Sequence, residues 1–438
     1  MSEAVLLKGG RVVDPSRNLD QTLDVLLRDG VVAKVDEKIA AKGADVVDAA
    51  GLVVAPGFVD LHTHLREPGF EYKETVATGT RAAAAGGFTT VCAMANTLPV
   101  LDDAPSVAFL VRRIRETAIV RVYPIGAVSK GLKGLTLAEI GSMKAEGIVA
   151  VSDDGKPIAN GMLMRRALEY ASMFGLPVVV HEEDPTIVGG GVMNEGWAST
   201  RLGLPGWPNV GESAMVARDV QLAALTKARL HVAHVSTRES LEAIRAARRA
   251  GAAVTCEVTP HHLTLTDEDV ARSGYDTRFK MNPPLRSEAD RLALVAALVE
   301  GTIDAVATDH APHHEDEKAL EFEDAPFGVT GLETALPVLV DALLVPRAIT
   351  LQRLVDVLST APARVFSLPG GTLAEGAPAD VVVFSTTKST HVTPDGFVSR
   401  SKNSPWTART LRGRVEHTFV SGREVFARGA AGAAGGAR

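Results

Sequence analysis

Only two cysteines, Cys92 and Cys256, occur in 438 residues. Both lie inside strand-like runs, so a disulfide framework is excluded and each reads as a buried, inert thiol. No apolar run reaches the roughly 20 residues of a membrane-spanning helix, and Thr334 to Val345 is interrupted by Pro337 and Asp341. The opening stretch, Met1 to Gly10, lacks a basic segment followed by a long apolar one. No signal peptide is expected, and the chain reads as cytoplasmic. Basic residues are scattered, and the net charge is −7 with a pI near 6.0. That balance argues against nucleic acid or a membrane surface as the main partner. No Gly-x-Gly-x-x-Gly fingerprint follows an early strand, which disfavours a doubly wound sheet.

What the chain does hold is alternation. Strand patterns at Phe58–His64, Thr89–Ala93, Arg121–Ile125, Ala150–Ser152, Pro177–His181, Leu230–His234, Ala253–Val258 and Ala305–Thr308 are each followed by a helical pattern. Eight β/α units over about 300 residues are the count of an α/β (β/α)8 TIM barrel, expected over 56–369. Short strands before residue 55 are too few to fold alone. Asp380–Phe384 and a hairpin turning at Ser421-Gly422 offer the missing half. One small β-sandwich domain built from both termini, 1–55 plus 370–428, is therefore expected, with 429–438 an Ala/Gly-rich disordered tail.

Barrel enzymes carry their chemistry at the C-terminal ends of the strands. Strand one ends in His62 and His64, two residues apart and so on one face, with Asp60 one pleat earlier to orient a ligand from behind. Strand four ends in Ser152-Asp153-Asp154-Gly155. Strands five, six and eight end in His181, His234 and Asp309. Four histidines and two aspartates on one rim suit Zn²⁺, with Mn²⁺ or Co²⁺ as substitutes. Six groups exceed what one catalytic zinc takes, so two metals bridged by a carboxylate and a hydroxide fit the count. Arg66, a fixed cation, follows at once and suits a carboxylate. Asn96 and Asn282, after strands two and seven, can donate hydrogen bonds, and His313 lies four residues past Asp309. His231, His261, His262, His310 and His314 read as packing or structural residues, and Lys156 as a solvated loop lysine. The acidic stretch from Glu315 to Asp324 reads equally as a loop over the mouth or as plain surface.

Asp60-x-His62-x-His64-Leu-Arg66-x-Pro68-Gly69, Ser152-Asp-Asp-Gly155 and Thr308-Asp-His-Ala-Pro-His313 together resemble the dihydroorotases of the amidohydrolase superfamily, in particular the long bacterial class I type. The resemblance runs from about residue 4 to 426. It implies zinc-dependent, reversible cyclisation of N-carbamoyl-L-aspartate to L-dihydroorotate in pyrimidine (UMP) synthesis. It implies two zinc ions per chain. His62, His64 and Asp309 would hold the first, and His181 and His234 the second, with Asp154 and a hydroxide bridging them. Asp309 would be the catalytic proton carrier, and the substrate would be bound by His64, Arg66, Asn96, Asn282, His313 and the main chain of Phe327 and Gly328. Relatives that act on hydantoins, dihydropyrimidines or allantoin bridge their metals with a carboxylated lysine. Ser-Asp-Asp-Gly in that place, with the Arg66/Asn96/Asn282 set, disfavours another cyclic amidase. A non-catalytic scaffold of aspartate transcarbamoylase is disfavoured because no ligand is missing. A homodimer and a complex with aspartate transcarbamoylase both stay open.

Overall fold

Runs such as Phe58–Thr63 and Phe88–Ala93 are buried at every position, as parallel strands covered on both faces must be. In a computed structural model, which describes residues 4–429, eight strands, these two among them, pair in parallel in chain order. They are Phe58–Thr63, Phe88–Ala93, Arg121–Gly126, Ala150–Ser152, Val178–Val180, Leu230–Val232, Val254–Val258 and Ala305–Val306. The last meets the first through a Thr63–His310 bridge and the His64 N–H donating to the His310 carbonyl at 2.9 Å. The result is a TIM barrel.

The helices between strands start where short polar side chains cap them. Asp103, Thr237 and Ser287 each accept from a backbone N–H in the first turn of Ala104–Thr117, Arg238–Arg249 and Glu288–Glu300. Arg238–Arg249 buries Ser240, Leu241, Ile244 and Ala247, the three-to-four spacing of a helix lying on a barrel. Val59, Leu61, Cys92, Ile125, Ala150, Val179 and Ala305 from six strands, with Met94 and Ala233 just past strand ends, form one inner cluster, joined by Val365, Phe366 and Leu368. Both thiols are buried, and burial pushes that of Cys256 up to about 12. Two features went unanticipated. Short elements over 185–207 separate strand five from its helix, Val210–Thr226, and helical turns over 351–365 follow the eighth unit. Among the described residues no helix is long and apolar enough to cross a membrane.

The second body draws strands from both ends. Ala4–Asp14 pairs first with Asp45–Asp48 and, past a bulge between Leu7 and Gly10, with Val53–Pro56. Val53–Pro56 then pairs with Val381–His391, and Thr410–Val420 and Arg423–Ala427 continue the sheet. Leu7, Val12, Val25, Val54, Val381 and Phe419 fill this small β-sandwich domain. Its connection over 392–409 leaves the sheet. Val392, Phe397 and Trp406 pack with Met193, Leu265, Met281 and Phe322 on the barrel. The expected disordered tail, 429–438, falls outside the described residues from 430 onward.

Candidate active site and metal centre

Asp60 is fully buried at the seam of the barrel. It accepts from the Thr308 N–H (3.1 Å), the Thr308 hydroxyl (2.5 Å) and the His62 N–H (3.1 Å). It therefore orients both strand ends through their backbones, while the His62 ring is held from elsewhere. From that seam His62, His64 and Asp309 emerge. Asp154 stands among all four imidazoles: Oδ1 is 3.3 Å from His62 Nε2, 3.4 Å from His181 Nδ1 and 3.5 Å from His234 Nε2, and Oδ2 is 3.5 Å from His64 Nε2. Asp309 Oδ1 lies 3.1 Å from His64 Nε2 and 3.5 Å from His62 Nε2. Donors about 2.0–2.1 Å from one tetrahedral ion sit about 3.3 Å apart, so these separations match two clusters of donors that share Asp154. His62, His64 and Asp154 form one group able to hold a metal, and Asp154, His181 and His234 another.

The fit to a cation rests on more than proximity. His62 Nε2 and Asp154 Oδ1 are buried without a hydrogen-bond partner among the described residues. Three of the imidazoles donate their other nitrogen to a protein oxygen, which leaves the lone pair facing Asp154. His62 Nδ1–H donates to Glu257 (3.1 Å), His64 Nδ1–H to Asn96 Oδ1 (2.9 Å) and His181 Nε2–H to Glu183 (3.2 Å). Burial alone raises the pKa of Asp154 and Asp309. Positive charge on the imidazoles around them, His62 first, outweighs it and holds both below the usual carboxylate range, a charge that a bound cation would supply in their place. Both stay anionic, as a metal ligand must. His234 and Asp309 have φ of 32° and 48°, and Arg66 has 62°. These are left-handed values for non-glycine residues, a backbone cost that the surrounding structure holds in place at the rim.

Asp153, the neighbour of Asp154, turns away. It accepts from the N–H groups of Val128 (2.7 Å) and Ser129 (2.9 Å) and from the Ser129 hydroxyl, while burial lifts it to about 6. Only Asp154 enters the site, as adjacent strand residues require.

Two carboxylates behind the donors escaped the sequence reading. Glu257, in Val254–Val258, accepts from His62 and, at 3.1 Å, from His231 Nε2, whose Nδ1 lies 2.8 Å from the Thr255 hydroxyl. A single acid inside an apolar strand was the available signal. His231, expected to be mere packing, is instead the outer member of this chain. Glu183 takes His181 and also accepts from Asn282 Nδ2 at 3.0 Å. His262 (to Thr259 Oγ1 and the Pro283 carbonyl), His310 (to Glu74 and the Gly331 N–H) and His314 (capping Glu315–Lys318) are structural, as expected.

A cavity of about 590 Å³ opens above the donors. Its wall includes His64, Asp154, His181, His234, Asp309, Arg66, Asn96, Asn282, His313, Phe327 and Gly328, with Lys73 and Lys156 added. His62 is fully buried beneath it. Lys156, read as a loop lysine, is exposed yet lines this opening. Arg66 donates through Nε to the Pro312 carbonyl at 3.1 Å, and burial lowers it to about 10. His313 Nε2–H donates to the Phe327 carbonyl at 2.8 Å, so its ring serves the wall itself. The loop from 315 borders the opening: Lys318 donates to the carbonyls of Pro326 (2.8 Å) and Gly328 (3.1 Å).

The same wall is strapped from the small domain's long connection. Ser401 Oγ accepts from the His313 N–H (3.2 Å) and donates to the His313 carbonyl (2.7 Å). Asn403 Nδ2 donates to the Gly328 carbonyl at 2.9 Å, and the Asn403 carbonyl accepts from Thr330. Ser399 bonds Glu74 beneath His310. Nothing in the spacing of Ser399, Ser401 and Asn403 announces this role.

Known proteins resemble this chain in sequence and in fold. The dihydro-orotase-like family profile matches residues 51–240. A dihydroorotase of Anaeromyxobacter dehalogenans (strain 2CP-C) is 55% identical over 432 residues, 98% of this chain and 100% of that one. A dihydroorotase of Geobacter sp. (strain M21) is 50% identical over 426 residues, 97% and 100% of the two. Among solved structures, the L-hydantoinase (dihydropyrimidinase) of Arthrobacter aurescens superposes with a TM-score of 0.87 at 27% identity, covering 97% of this chain and 96% of its own. The dihydropyrimidinase of Brevibacillus agri NCHU1002 gives 0.83 at 25%, covering 97% and 95%. Identity of half or more along essentially the whole length, on a barrel whose rim gathers these histidines and aspartates, means that the chain belongs to the dihydroorotase family.

Proposed function

We propose that the protein is a dihydroorotase that closes N-carbamoyl-L-aspartate to L-dihydroorotate and reopens it, with two zinc ions per chain. The observation that carries the reading is Asp154 at the centre of four imidazoles, with Asp309 against two of them, below a cavity with a basic wall. His62, His64, Asp309 and Asp154 would hold one ion, and Asp154, His181 and His234 the other. When bound, such a pair lowers the pKa of a water toward about 7 and polarises a carbonyl as a Lewis acid.

The chain's own groups do the rest. In hydrolysis a C–O bond forms at the ring amide carbon as its C–N bond breaks. Asp309, on the cavity wall and kept anionic, takes the proton of the attacking water and returns it to the leaving nitrogen. In cyclisation the same carboxylate takes the ureido proton as the C–N bond forms, and passes it to the oxygen that leaves as water when the C–O bond breaks. Arg66 holds the carboxylate that sits away from the metals, as its planar fork allows. Asn96 and Asn282 line the cavity while gripping His64 and Glu183, so substrate contact and donor orientation share residues.

Hydantoinases and dihydropyrimidinases have the same fold, and their uncharged rings would leave Arg66 without an anion. The test measures metal per chain and hydrolysis of dihydroorotate, hydantoin and dihydrouracil, before and after chelation. We expect about two ions, chelator-sensitive turnover, and a clear preference for dihydroorotate. A preference for hydantoin or dihydrouracil would reassign the enzyme, and full activity without metal would end the reading.

A further inference from the structure

We propose that Lys73 binds substrate: its ammonium and the Arg66 guanidinium grip the substrate carboxylate from either side of the His313 ring. The proposal rests on the dihydroorotase reading and names a specificity residue for it. Lys73 lies in the loop between the first barrel strand and its helix, Val76–Ala85, and lines the cavity. Its Nζ is 3.4 Å from His313 Nδ1, and Arg66 Nη2 is 3.4 Å from His313 Nε2. The Nε2–H of His313 is committed to the Phe327 carbonyl, so Nδ1 carries the lone pair and accepts from Lys73. Two cations thus flank one neutral imidazole. Burial, then Arg66, then Lys73 hold that imidazole far below its ordinary pKa.

Charge bookkeeping leaves a surplus on this wall. Glu317 pairs with Lys73 at 2.9 Å. Among the described residues Arg66 has no carboxylate within ion-pair distance; its Nε donates to the Pro312 carbonyl. An ammonium carries three N–H donors; one goes to Glu317 and one to His313, which leaves one for a ligand. The rings of Phe70 and Tyr72, 5.6 and 5.4 Å from Nζ, hold the ammonium in place. Two cations against one carboxylate on a partly desolvated wall are costly unless an anion completes the set.

Lys73 and the Tyr72 hydroxyl both bond Glu317, so a clasp between two loops is the rival role, and the variants separate the two. Lys73→Gln should raise KM for dihydroorotate about tenfold or more, the loss expected of a hydrogen bond to a charged group. Its kcat, metal content and melting temperature should stay near wild type, and Lys73→Arg should recover most of the affinity. Glu317→Ala removes both acceptor oxygens and so breaks the clasp but spares the ammonium, so its KM should not rise. A KM within twofold of wild type for Lys73→Gln, or an equal rise for Glu317→Ala, overturns the proposal. A wild-type protein that fails to turn over dihydroorotate overturns the functional reading itself, and that control is read first.

Discussion

Glu257 offers the sharpest test of the idea that donors are held from behind. Its two oxygens take His62 and His231 at 3.1 Å each, and all three side chains are at most 1% exposed. Burial pushes this carboxyl up, but His231 and His62 outweigh it and hold it down at about 2. Glu257→Gln keeps the shape and one acceptor but loses the charge. Removing such a partner typically weakens a metal site about 10- to 100-fold, or about 1.4 to 2.7 kcal/mol at 1.36 kcal/mol per decade. The loss should be selective, because Glu257 bonds His62 while His181 is held by Glu183. Titration against a chelator of graded strength should therefore resolve two ions in the variant, one weakened and one unchanged, where wild type releases both late. Melting temperature, followed in parallel, tells local loss from general unfolding. Unchanged affinity for both ions, or equal weakening of both, would refute the reasoning.

Three further outcomes are expected. Asp309→Asn should retain most of its metal through His62, His64 and Asp154 but lose about 10²- to 10⁴-fold in kcat, the usual share of a proton carrier; near-normal kcat would remove Asp309 from that role. Ser401→Ala strips both backbone groups of His313 of their partner. Unsatisfied buried groups cost about 1–3 kcal/mol, so KM should rise several-fold with metal content intact, and an unchanged KM would detach the strap from the site. Lys318, lowered to about 7 chiefly by burial, is protonated below about 10.5 when unfolded but only below about 7 when folded. Its contribution to stability is thus present above 10.5 and lost as pH falls toward 7. Lys318→Met should flatten this part of the denaturant-midpoint difference between pH 7.5 and 9.5, and an undiminished difference would count against the shift.

The division between what the chain announces and what it hides follows from locality. Each barrel strand is a short apolar run ended by a polar residue, and the pattern sits within about six consecutive residues, so His62, Asp154, His181, His234 and Asp309 could be placed on one rim without coordinates. Strand alternation lets only one of Asp153 and Asp154 point inward, and the resemblance to the dihydroorotases selects Asp154. The supports obey no such rule. Glu257 meets His62 across 195 positions and Ser401 meets His313 across 88, and neither pair leaves a periodic trace. His231 shows the cost: judged by its strand face it was packing, yet the acid opposite it, two residues past Thr255, makes it part of a polar chain. The strap shows the same limit at the scale of domains. A connection between two sandwich strands reads as a surface loop, because what decides its path is the apolar seat formed by Met193, Leu265, Met281 and Phe322 on the barrel. Donors that bind are chosen by chemistry and recur as motifs. Groups that hold those donors need only reach them, so many sequences can supply them and tertiary structure alone reveals which one does.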